Sequence, residues 1–117
     1  MISSVSRFAM LAAAVLILGG CDSASSDLAT IKTARSLAAE RALVARLTAN
    51  GKLRRAYAEG MQLGAVTQLV SARGALARSD GDSGQAIGAA AALPDQAERL
   101  HAAALRLAEI EARREDH

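Results

Sequence analysis

Three groupings in this 117-residue chain combine residue types and spacings that can do chemistry. Cys21 is the only cysteine, and it closes an apolar run through Leu18, Gly19 and Gly20. Glu98 and His101 spell Glu-x-x-His, which sets a carboxylate and an imidazole on one helix face, as in carboxylate-bridged di-iron bundles. With Glu40 and Glu59 as bridging ligands, that pair defines one alternative for the whole protein, a metal-binding helical bundle. Such centres use two Glu-x-x-His motifs and this chain has one; two histidines and one cysteine are also too few for a closed zinc site. No metal and no cofactor are therefore expected. Lys52, Arg54 and Arg55 form the third grouping. Its fitting partners are anionic headgroups or peptidoglycan carboxylates, at about 1 kcal/mol per basic residue near an anionic membrane.

Other signatures fail where their ligands or nucleophiles should be. Asp80-Gly81-Asp82 opens like a calcium loop, but its fifth, sixth and twelfth positions hold Gly84, Gln85 and Ala91 instead of a ligand, glycine and glutamate. There is no Ser/His/Asp grouping at an elbow, no glycine-rich phosphate loop and no haem-attachment motif, so an enzyme is not expected. Beyond Phe8 the only aromatic residue is Tyr57, which leaves no platform for stacking bases and argues against nucleic acid as a partner.

The residues ahead of Cys21 determine what that thiol is for. Arg7 and the free amine supply positive charge at the start, and Phe8 to Leu18 follow as eleven uninterrupted apolar residues. This is the layout of a secretory signal, and it is far shorter than the ~20 residues that span a bilayer. Leu18-Gly19-Gly20-Cys21 resembles the bacterial lipobox, with Gly19 the less usual choice. The resemblance, confined to the first 22 residues, implies signal-peptidase recognition through Leu18, Gly19 and Gly20, cleavage before Cys21, and a diacylglyceryl thioether on its sulfur. Asp22 resembles the signal that holds enteric lipoproteins at the inner membrane. The implied location is the bacterial envelope, lipid-anchored and facing the periplasm, with the inner membrane favoured over the outer.

The body that this anchor would hold reads as all-α, an antiparallel helical hairpin plus a third helix closing a small bundle. Residues 1–20 are the expected signal peptide, 21–27 the lipidated cysteine and a flexible tether, and 28–117 one small helical domain. Leu28 to Ala49 lacks Gly and Pro and is rich in Ala, Leu and Arg, all good helix formers. Asn50-Gly51 suits a left-handed C-cap, and a second helix is expected over about 52–78. Ala56, Gly60, Leu63, Thr67, Val70, Gly74 and Ala77 fall at 4-3 spacing in it, which predicts an inner face of the bundle, with a homodimer face as the other reading. Gly60 and Gly64 form a GxxxG pair whose charged surroundings point to close soluble packing rather than a membrane span.

Ser79 to Gly84 must be a loop, followed by a short helix over 85–93 and a boundary at Pro94. The last helix, 95–115, carries Asp95 and Glu98 in its first turn and Arg113 and Arg114 in its last, with Ala97, Leu100, Ala104, Leu107 and Ile110 as its apolar stripe. Residues 32–78 hold nine bases and two acids, whereas eight acids and four bases lie from Asp80 onward. That asymmetry predicts that the two halves attract each other. With few large apolar side chains the core is thin, which predicts support from self-association, another envelope protein or the membrane surface.

Overall fold

Alternation of helix-forming stretches with glycine- and proline-marked breaks produces four helices: α1 (Ser23–Ala49), α2 (Arg55–Ala75), α3 (Asp82–Ala92) and α4 (Ala97–Glu115). The computed structural model describes residues 23–116, so the signal segment, Leu18, Gly19, Gly20, Cys21 and Asp22 lie outside the described residues. The described part is an all-α bundle. α1 is its central member and runs antiparallel to both long neighbours. Asp27 and Arg41 of α1 meet Ala77 and Gln62 beside α2, while Lys32 and Arg35 meet Glu115 and Glu111 of α4.

One core joins all four helices. Ile31 and Leu37 of α1 pack with Leu69 and Leu76 from α2 and its end, Ile87 of α3, and Leu107 and Ile110 of α4. Alanines fill the spaces between them. Each fully buried Leu or Ile contributes roughly 1.5–3 kcal/mol, and each alanine much less. A smaller cluster of Ala42, Ala45 and Leu100 closes the other end against Leu93 and Ala97. The stripe expected on the last helix is the one it buries, through Leu100, Ala104, Leu107 and Ile110.

Two breaks are built as their residues require. Gly51 sits at φ 72°, and the N–H groups of Gly51 and Lys52 donate to the carbonyls of Thr48 and Leu47 at 3.1 and 2.8 Å, closing α1 with a left-handed cap. At the start of α3, Gly84 lies so close to Ser79 that a Cβ there would overlap the Ser79 carbonyl, a backbone group that cannot swing aside.

Several boundaries and one face depart from expectation. α1 begins at Ser23 rather than after a tether, because its first turns are held by other elements: the Ala77 N–H donates to Asp27 Oδ1 at 3.1 Å, and Arg114 pairs with Asp27 Oδ2 at 3.8 Å. α2 is shorter than 52–78, since residues 52–54 are spent leaving the cap and Leu76 turns inward into the core after the last turn. α3 starts at Asp82 and is a full member of the bundle, burying Ala86, Ile87 and Ala90. Asp95, expected in the first turn of the last helix, stands outside α4 and pairs with Arg41.

The largest correction concerns α2. Its inner face is Ala58, Gln62, Ala65 and Leu69, and every position of the expected inner stripe is exposed. At 3.6 residues per turn the two stripes are roughly 180° apart on the helix. A Cβ at Gly60 or Gly64 would meet nothing within 4 Å beyond the helix's own neighbouring turns, so these glycines bring no two helices of this bundle together.

Candidate functional site

The hairpin turn between α1 and α2 leads directly into a cleft. Its volume is about 550 Å³, and it is lined by Ala45, Thr48 and Ala49 of α1, Arg55, Ala58, Glu59 and Gln62 of α2, and Asp95 from the α3–α4 connection. The left-handed cap at Gly51 turns the chain out of α1, which places Lys52, Arg54 and Arg55 on the surface of this end of the bundle. Of the basic trio, only Arg55 lines the cleft.

Beneath the cleft lies a polar group that the sequence reading did not single out. Arg41 is 2% exposed in the middle of α1. Its Nε donates to Gln62 Oε1 at 2.8 Å, its Nη1 to the Ala90 carbonyl at 2.6 Å, and its Nη2 to the Leu93 carbonyl at 3.0 Å and Asp95 Oδ1 at 2.9 Å. Gln62 answers by donating from Nε2 to the Arg41 carbonyl at 3.0 Å. One guanidinium thereby ties α1 to α2, to the end of α3 and to the turn before α4. Only a planar five-donor group can meet acceptors in this arrangement. A signal for it was present in the chain: Arg41 falls on the buried period of α1 set by Ile31, Ala34, Ala38 and Ala45, and a charge on an apolar stripe needs partners.

The buried charges of this arrangement are each paired across the fold. Arg41 has its charge partner in Asp95, and the other buried charged group, Glu111, pairs with Arg35 at 3.0 Å. Ser83 is the one buried side chain among the described residues whose polar atom has no partner, and it lies in the first turn of α3, remote in sequence from the residues that line the cleft. Glu98 and His101 share the exposed face of α4, and Glu40 and Glu59 are exposed on α1 and α2. No three His, Cys, Asp or Glu side chains among the described residues come together closely enough to hold a metal ion. The cleft carries one positive and two negative side chains, Arg55 against Glu59 and Asp95, so its lining has no single sign.

The expected attraction between the halves takes a specific form. Lys32, Arg35 and Arg41 pair with Glu115, Glu111 and Asp95, each joining the basic half to the acidic half. Among the described residues no helix is long and apolar enough to cross a membrane. Comparison with protein-family profiles, characterised proteins and solved structures gives no match to this chain.

Proposed function

We propose that this protein is a lipid-anchored, non-enzymatic helical module of the bacterial cell envelope, held through Cys21 at the periplasmic face of the inner membrane and acting there as an adaptor or structural element. The observation that carries the reading is Leu18-Gly19-Gly20-Cys21 at the end of a charged and then apolar N-terminal segment, followed by Asp22. The body supports it in two ways. α1 begins at Ser23, two residues beyond Cys21, so lipid and helix are separated by at most ~7 Å of chain. The buried charges are committed to pairing helices with one another, which favours a structural role over a reaction.

The length of α1 gives the basic trio a place in this picture. Its 27 residues span about 40 Å, and Lys52, Arg54 and Arg55 stand just past its far end. A body lying along the membrane is then attached at both ends of α1, by the lipid at one and by contacts to anionic headgroups at the other.

Cys21→Ser tests the anchor. It is expected to abolish metabolic labelling with a fatty acid and to move the protein from the membrane fraction to the soluble fraction. Undiminished labelling would sink the reading.

A further inference from the structure

We propose that the outward face of α2 is a homodimer seam, on which two copies of this chain pack their α2 helices antiparallel. The face is apolar and has no partner within the bundle: Leu63 is 69% exposed and Val70 60%, and both lie on the side opposite the buried stripe. Around them the 4-3 spacing is kept by Gly60, Thr67 and Gly74, which this fold does not explain. Gly60, Gly64 and Gly74 each have open space in front of them, and each weakens the helix by up to ~1 kcal/mol relative to alanine. The Thr67 hydroxyl already donates to the Leu63 carbonyl at 2.9 Å, so covering it strands no polar hydrogen.

Charge selects the occupant and its direction. The flank of the seam carries Glu59 near one end and Arg73 near the other, both exposed; neither forms an ion pair, and Arg73 makes only a 3.4 Å hydrogen bond to the Ser79 carbonyl while lying over Gly88. In an antiparallel pair with its two-fold axis close to Gly64, Glu59 of each copy faces Arg73 of the other, an isologous arrangement that one sequence satisfies twice. The same register sets Val70 against Gly60 and Leu63 against Thr67, so large side chains meet small ones along the seam. A parallel pair would instead bring Arg73 towards Arg78 of the other copy. A seam of about three heptads buries on the order of 1,000 Å² in total, near the lower bound for a specific interface, so the contact gains from copies confined together. A two-fold axis along the membrane normal would leave both anchors on one side, so the seam is compatible with the lipid reading without resting on it.

The test is short-span bismaleimide crosslinking of the full chain in bacterial membranes. Gly64→Cys is expected to give several-fold more covalent dimer than Ala39→Cys, an exposed position on α1. Adding Val70→Lys should remove that excess, because it sets a charge in the seam opposite glycine. Glu59→Arg should weaken the dimer about tenfold by making two attractive pairs repulsive, and Glu59→Arg with Arg73→Glu should restore it. Equal crosslinking at positions 64 and 39, an excess at 64 that survives Val70→Lys, or double reversal no better than the single one would each overturn the proposal. So would an excess of crosslinks from position 64 to a different protein. Crosslinking of the unmodified chain would report a free Cys21 thiol, which counts against the lipid anchor and is distinguishable from failure of the seam.

Discussion

The two ends of the α1–α4 contact use charge differently. Near the start of α1, Asp27, Lys32 and Arg35 meet Arg114, Glu115 and Glu111 in a row along the bundle surface, and Lys32 and Glu115 are each about half exposed. Further along, Arg41 reaches the same class of partner, a carboxylate at 2.9 Å, but from inside the protein and with three other acceptors around it. Within the row, the Lys32–Glu115 pair exchanges hydration for pairing at little net gain, as exposed pairs do. Arg41 cannot exchange back, since the guanidinium itself and two of its acceptors, Gln62 Oε1 and the Ala90 carbonyl, are buried. The difference teaches that location, not the number of ion pairs, decides which charges this fold depends on.

The strongest way to break that comparison is Arg41→Ala. It would leave Gln62 Oε1 and the Ala90 and Leu93 carbonyls without their donor. The expected loss is about 3 kcal/mol, a large share of what a domain of this size has. Urea unfolding followed by helical circular dichroism measures it, and a loss below about 1 kcal/mol would show that water or neighbouring side chains replace the guanidinium freely.

Gly84→Ala comes next and reaches the same clamp through its carrier. α3 delivers the Ala90 and Leu93 carbonyls to Arg41, and its first turn can sit where it does only without a side chain at Gly84. Moving that turn off Ser79 is expected to destabilise the fold by about 2 kcal/mol. Combined with Arg41→Ala the effects should fall short of additive, because both act on one set of hydrogen bonds. Full additivity in the same unfolding experiment would mean that α3 and the clamp are independent.

Which parts of this were legible in the chain follows from side-chain size. The cap at Gly51 and the buried stripe of α4 rest on residues with strong, local preferences and stand where expected, whereas the loop expected over 79–84 gives way to α3 from Asp82. α2 has no such contrast. Its two faces both run at helical spacing through alanine, glycine and an occasional Leu or Val, and the buried face includes Gln62, so polarity pointed the wrong way. Gln62 is inside only because Arg41 is there to meet it, and a pair 21 residues apart in sequence leaves no periodic trace. The start of α1 departs from expectation for a related reason: the Asp27 carboxylate is held by Ala77 and Arg114, both far away in sequence. The anchor residues at 18–22 lie outside the described part, so that site stands on its sequence.

The smallest effect sharpens the comparison most, because it lies within the row itself. Lys32 and Glu115 are matched in exposure, whereas the Glu111 side chain is only 9% exposed beneath Arg35. If ion pairs mattered as such, Lys32→Ala and Arg35→Ala would be equivalent, since their pairs have nearly equal distances of 3.1 and 3.0 Å. If burial decides, Lys32→Ala changes stability by less than about 0.5 kcal/mol, while Arg35→Ala, which strands a buried carboxylate, loses about 1 kcal/mol or more. Salt separates them as well: unfolding of the parent chain and of Lys32→Ala should converge as ionic strength rises, and the deficit of Arg35→Ala should persist because Glu111 is screened less. Two equal deficits would place the row and the clamp on one scale and remove the distinction between them.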